Sequence, residues 1–308
     1  MILIAARFET TAIPMPPTAI KKIEHLFKRV LFWFLKSILR DGNQAVRPVS
    51  PEKINSILIL RPDKLGDMIA TVPAIHALKK YWPNIRLEVI ASPQNRIIIN
   101  QDPAFDAVHV YSKNIFADTG LIRRLRKKRF DIIYDPICHD SITGLLLAKL
   151  IAPKAILVAS RKMKFLPFYD YCEPYQPDGH DHNIDNGLLI FNLFGVSPST
   201  IDPFSPPFIP AGSIAVGDEF LSKLPDDVIK IGLNIAAGRP SRTLPIEKYT
   251  TLIKLISTEF PKVRFVVFCT MDERNRGKAL VQAFPDITFL VPEYLSILDV
   301  AAILRGME

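Results

Sequence analysis

The sequence predicts an α/β chain built of two Rossmann-type parallel-sheet domains, and three observations carry that prediction. From Ile57 onward, short apolar runs rich in β-formers alternate with helix-length patterns, as expected of strands covered on both faces by helices. Five prolines (Pro198, Pro203, Pro206, Pro207 and Pro210) crowd residues 198–212, a density that marks a linker between two such units. The 308 residues, 48% of them apolar, are enough for about two cores. The expected division is 1–50 as a basic helix and linker, 51–205 as the first domain and 206–308 as the second.

Residues 1–18 carry three prolines and no periodicity, and read as an unstructured lead in which Met15 is an alternative start. Residues 19–40 differ. Ile20, Ile23, Phe27, Val30, Phe34 and Ile38 recur at helical spacing, and six Lys or Arg stand against one Glu, a local charge of +5. A basic amphipathic helix with aromatics suits an anionic membrane surface; the alternative is a helix packed on the protein's own core. No run of 18 apolar residues predicts a membrane span, and no signal peptide is evident. Cys138, Cys172 and Cys269 are too scattered for a disulfide framework or a metal site, so a reducing cytoplasm is the expected compartment. The net charge of +8 comes without any nucleic-acid motif or interleaved aromatics, which disfavours nucleic-acid binding.

The elements follow in order. Ile57–Leu60 is a strand, and a helix runs from Leu65 to about Lys80. Arg86–Ala91 is a strand, Pro93–Asn100 a short helix, Ala107–Tyr111 a strand and Ala117–Lys128 a helix. That helix ends in Arg123, Arg124, Arg126, Lys127, Lys128 and Arg129, read as a solvated terminus matched to the helix dipole. Asp131–Asp135, Ser141–Leu150 and Ala155–Ala159 continue as strand, helix and strand. Residues 161–183 look irregular. Within them Asp178-Gly179-His180-Asp181-His182 admits a cation site, but with no third ligand group placed by sequence, a helix cap is preferred and no metal is assigned. A further helix closes at Phe194-Gly195. Beyond the linker come helix Ile214–Leu224, strand Ile229–Ile235, helix Pro245–Glu259, strand Val263–Cys269, helix Asp272–Phe284, strand Thr288–Val291 and helix Ser296–Leu304.

Two strand-to-helix loops carry chemistry. The first, Arg61-Pro62-Asp63-Lys64-Leu65-Gly66-Asp67, puts four charges beside a glycine at the carboxyl end of a strand, where open α/β sheets bind ligands. Asp67 falls in the first helical turn, either as a dipole-matching cap or as a general base. The second, residues 236–245, places Arg239 and Arg242 ahead of a helix start, an arrangement that suits a diphosphate or is simply a solvated loop.

The segment Ile-Leu-Ile-Leu-Arg-Pro-Asp-Lys-Leu-Gly-Asp-Met, with Pro73 and Leu78-Lys79 after it, resembles the opening of the family 9 glycosyltransferases, the heptosyltransferases of lipopolysaccharide core assembly. Gly-Leu-Asn-Ile-Ala-Ala-Gly followed by Ser-Arg-Thr-Leu-Pro-Ile-Glu-Lys-Tyr is similar to the donor-domain loop of that family, with Leu244 where a tryptophan is usual. The resemblance implies a GT-B-like fold with the two domains facing a cleft. It implies Asp67 as catalytic base, with Lys64, Gly66 and Lys113 toward the acceptor. Arg242, Gly238 and Thr243 would hold the donor diphosphate and Glu273 the nucleotide. It further implies an inverting transfer of heptose from a nucleotide-diphospho-sugar, ADP-heptose first, to a lipid-linked saccharide acceptor, without metal or cofactor, at the cytoplasmic face of the inner membrane. The family's later Asp-Thr/Ser motif has no counterpart after Asp272, so the second domain is expected to be incomplete, either truncated or completed by a partner. A non-catalytic relic or scaffold of the same fold is the alternative function. A dinucleotide oxidoreductase is a weaker one, since no glycine fingerprint follows the first strand.

Overall fold

A computed structural model describes residues 48–112, 117–174, 182–237 and 242–307. The basic stretch 19–40, Lys113, Gly238, Arg239 and most of the 178–182 motif lie outside the described residues.

The first sheet begins with β1 (Ser56–Arg61), α1 (Leu65–Tyr81), β2 (Arg86–Ala91) and β3 (Ala107–Val110). It continues with α2 (Thr119–Lys128), β4 (Ile132–Asp135), α3 (Ile142–Ile151), β5 (Ile156–Lys162) and β6 (Tyr171–Pro174). The strand order is β3-β2-β1-β4-β5-β6, all parallel. The chain therefore winds outward in one direction from β1 and then in the other from β4. The crevice opens where the direction reverses, at the carboxyl ends of β1 and β4.

Alternation along β1 shows why its four apolar residues are continuous. Ile57 and Ile59 join the core under α1 with Met68 and Val72, while Leu58 and Leu60 join the core under α2 and α3 with Leu125 and Leu145. All four are fully buried, each contributing about 1.5–3 kcal/mol of transfer free energy. The first core is closed by α4 (Asn183–Leu188) and α5 (Ile190–Leu193), with Gly187 set against the backbone of α1 at Ala70.

The second sheet holds β7 (Ile229–Asn234), β8 (Val263–Phe268) and β9 (Thr288–Leu290), parallel and in that order. Its helices are α6 (Ala211–Leu221), α7 (Ile246–Glu259), α8 (Arg274–Ala283) and α9 (Ile297–Arg305). Close packing of α6 on α9 depends on Gly217, where a Cβ would meet Ala302 at 2.8 Å.

Three expectations are corrected. Residues 93–100 form a 3-10 turn at Arg96–Ile98 rather than a helix, because the Ser92 and Asn95 side chains take the local backbone donors. Residues 161–183 are not wholly irregular: β5 extends to Lys162 and β6 adds an edge strand, a position that tolerates the terminal Pro174. The helix expected at Ile214–Leu224 begins at Ala211, directly after Pro210. Of the cation motif, His182 is described, and its Nδ1 accepts from Ile184 N at 3.4 Å as the cap of α4.

Candidate active site

The β1–α1 loop is shaped by one buried cation. Arg61 ends β1 and is 5% exposed. Its Nε donates to the Asp67 carbonyl at 3.0 Å, one terminal nitrogen donates to Asp63 Oδ2 at 3.3 Å, and the other lies 3.8 Å from Asp67 Oδ1. The guanidinium thus sits beneath the loop and fixes the start of α1 through backbone and side chain together. The Asp67 side chain is about one-third exposed. Its Oδ2 accepts from Lys64 N at 3.4 Å, a long bond, so capping engages this carboxylate only weakly. Gly66 has open space where a Cβ would stand, and Lys64 is exposed. The loop therefore leaves a carboxylate, an ammonium and a bare backbone open to solvent.

Asn95, fully buried after β2, pins this loop from behind. Its Nδ2 donates to the Arg61 carbonyl at 2.8 Å and to the Asp63 carbonyl at 3.3 Å, and Ser92 Oγ donates to the Asp63 carbonyl at 2.9 Å. Burial raises the Asp63 carboxyl above its ordinary range, against the pull of Arg61 and with the push of Asp67.

A second buried cation stands across the crevice. Lys162, at the end of β5, pairs with Asp135, at the end of β4, at 3.0 Å, with both side chains wholly buried. Asp135 also accepts from Tyr169 Oη at 2.7 Å and from Ile137 N at 3.1 Å. Lys162 Nζ donates to the Ile137 and His139 carbonyls. The pair therefore folds residues 136–139 over the carboxyl ends of β4 and β5. Asp140 finishes the wall by accepting from the backbone nitrogens of Met163, Lys164 and Phe165. Sequence reading missed Asn95, Lys162, Asp135 and Tyr169. The one available signal was a lysine and an aspartate each ending an apolar strand.

In the second sheet, a cleft of about 520 Å³ opens at the carboxyl ends of the strands. It is lined by Asn234, Phe268, Thr270, Arg274 and Glu293 among others. Arg274 donates to the Val291 carbonyl and lies 3.6 Å from Glu293, holding the floor of this cleft. Glu273 sits one residue from the lining, and its carboxylate accepts from Thr270 Oγ1. Arg242 is exposed and Thr243 half-buried, both just ahead of α7. Lys64, Gly66 and Asp67 thus share one loop at the first sheet, while Arg242, Thr243 and Glu273 belong to loops at the carboxyl end of the second. Among the described residues no cluster of His, Cys, Asp and Glu is arranged to hold a metal ion.

No protein-family model matches the chain, and no curated protein matches it in sequence. Solved structures do match in three dimensions. A family 9 glycosyltransferase from Veillonella parvula superposes with a TM-score of 0.65 at 20% identity, over 82% of this chain and 72% of its own. The ADP-heptose lipopolysaccharide heptosyltransferase II of E. coli gives a TM-score of 0.61 at 16% identity, over 81% and 76%. The E. coli heptosyltransferase WaaC with ADP gives 0.57 at 18% identity, over 81% and 78%. The chain thus has the fold of the family 9 glycosyltransferases, a GT-B-like pair of parallel α/β sheets.

Proposed function

We propose that this protein is an inverting glycosyltransferase that moves a heptose from a nucleotide-diphospho-sugar, ADP-heptose, to a lipopolysaccharide core acceptor. The observation that carries the reading is Asp67: a part-exposed carboxylate, only weakly capped, braced by buried Arg61 beside open Gly66 at the switch point of the first sheet. The heptosyltransferases similar in fold, one of them solved with ADP, support the substrate class.

In this reading Asp67 takes the proton of an acceptor hydroxyl as that oxygen attacks the anomeric carbon. The carbon–oxygen bond to the diphosphate breaks on the opposite face, so configuration inverts in one displacement and the nucleoside diphosphate leaves with the bonding pair. Arg242 and Thr243, just ahead of α7, together with Gly238 hold the diphosphate and offset its growing charge. Glu273 meets the nucleotide beside the second-sheet cleft. Lys64, Gly66 and Lys113 hold the acceptor, whose core sugars carry anionic groups. Metal and cofactor have no part in this scheme. Residues 19–40 hold the protein on the anionic cytoplasmic face of the inner membrane, next to the lipid-linked acceptor. The domains divide at about residue 205, in the proline-dense stretch.

Thermal melting with ADP, UDP, GDP, CMP and NAD tests the donor side. Stabilisation follows the ratio of ligand concentration to dissociation constant, about 2.7 kcal/mol at a hundredfold excess over Kd. A midpoint raised by ADP above the other nucleotides is expected. A folded sample that responds to none of them sinks the enzyme reading in favour of a non-catalytic scaffold.

A further inference from the structure

A cleft of the first domain lies at the opposite end of the sheet from Asp67. About 840 Å³ in volume, it opens where β1, β4 and β5 begin and where α2 and α3 end. Lys53, Arg126, Arg129 and Lys154 surround it, all exposed, while Val49, Phe130 and Ile151 form apolar walls. Among the described residues, none of these four cations has a carboxylate partner. Arg126 makes one long bond, 3.5 Å, to the Leu150 carbonyl. The one acid in the lining, Asp131, is already occupied: its Oδ2 accepts from Asn55 N, Ser56 N and Ser56 Oγ at 2.9–3.1 Å.

Matching the dipoles of two helix ends explains some positive charge here, but not its form. Arg129 follows α2 in the left-handed conformation (φ 52°, ψ 62°) and is the sole non-glycine residue with positive φ among the described residues. Glycine or asparagine is the usual occupant of that position, so an arginine is held there at a conformational cost. Four cations without an ion-pair partner among the described residues, set against one carboxylate around an apolar recess, suit a ligand with an anionic head and a greasy body.

We infer that this cleft receives the phosphate head group of an anionic phospholipid, so that the amino end of the first sheet rests on a membrane. The described chain begins at Pro48, on the cleft itself. Resting this face on the bilayer turns the Asp67 crevice away from the bilayer plane, toward the saccharide part of a lipid-anchored acceptor. The basic cleft shares no residue with the Asp67 loop or the second-sheet cleft, so lipid binding there is independent of sugar transfer.

Cosedimentation of the full chain with phosphatidylcholine vesicles, with and without phosphatidylglycerol, tests the inference. Each basic residue at an anionic surface contributes about fivefold to binding. Arg129→Gly keeps a backbone that glycine adopts freely, so it should fold at least as well as the parent yet bind phosphatidylglycerol vesicles about fivefold more weakly. Adding Arg126→Gln and Lys154→Gln should bring the loss to about a hundredfold. Residues 19–40 are unchanged in every variant, so the differences read the cleft alone. Equal vesicle binding by parent and Arg129→Gly would overturn the inference. So would inorganic phosphate stabilising the parent but not Arg129→Gly while vesicle binding stays equal, since the cleft would then be a site for free phosphate. Loss of ADP-induced stabilisation together with intact vesicle differences would count against the transferase reading and leave this one standing.

Discussion

Replacing Lys162 by methionine should unfold much of the first sheet's margin of stability, and the size of the loss follows from what the ammonium touches. Among the described residues it is the one cation paired with fully buried Asp135, and it satisfies the carbonyls of Ile137 and His139. Methionine fills the stem but leaves a buried carboxylate held only by Tyr169 Oη and Ile137 N, with two carbonyls short of a donor. Breaking a buried pair from one side costs about 3–5 kcal/mol, a large part of the ~5–15 kcal/mol a domain has. Adding Asp135→Asn removes the stranded charge while the amide keeps the Tyr169 contact, and should recover about 2 kcal/mol. Trp82, packed against Phe191 with ring centroids 5.5 Å apart, reports this domain. Urea unfolding read from its fluorescence in a Trp33→Phe background gives the three free energies. A loss below about 1 kcal/mol for Lys162→Met, or strict additivity in the double variant, would refute the claim that this pair organises residues 136–139.

Three further outcomes are expected. Asn95→Ala should cost about 2–3 kcal/mol in the same urea assay, since it strips buried donors from the Arg61 and Asp63 carbonyls, and should leave nucleotide-dependent melting shifts unchanged. Burial works against the ionised form of Glu88, but hydrogen bonds from Lys128 and His109 outweigh it and hold the carboxyl below its ordinary range of about 4.5. Its stabilisation is therefore full above that value and lost as pH falls through the lowered pKa, and Glu88→Gln should flatten the acid limb of a pH–stability curve. Asp63 has the opposite sign: its carboxyl is raised, so it weakens the fold increasingly as pH climbs from about 3.8. Asp63→Asn should raise the melting midpoint at neutral pH, with the gain vanishing in acid.

What could be read from the sequence was whatever is local in the chain. β1, its charged loop and α1 appear as one unbroken signal, because a strand buried on both faces must be continuously apolar and a loop after it must not be. The place of Asp67 in the first turn of α1 is legible for the same reason, whereas its role as a base is implied only by the family resemblance and is a proposal. Asn95 was not: its partners are 32 and 34 positions back, and its local signal looked like a helix start, which its own side chain turns into a 3-10 turn. Lys162 and Asp135 are 27 residues apart and meet through the pairing of β4 with β5, which periodicity does not register. The strand β6 was hidden because an edge strand needs no long apolar run and tolerates proline.

The central claim is that Asp67 removes a proton during sugar transfer, and turnover by Asp67→Asn tests it most directly. Purified full chain and variant would be compared for transfer from ADP-heptose to a lipid-linked core acceptor, with ADP-induced melting shifts as the binding control. Asparagine keeps the size and the bond to Lys64 N but does not take the proton. The account predicts turnover lower by about 10²–10⁴-fold with nucleotide stabilisation unchanged. Turnover within a few-fold of the parent would contradict it and return Asp67 to the role of a helix cap.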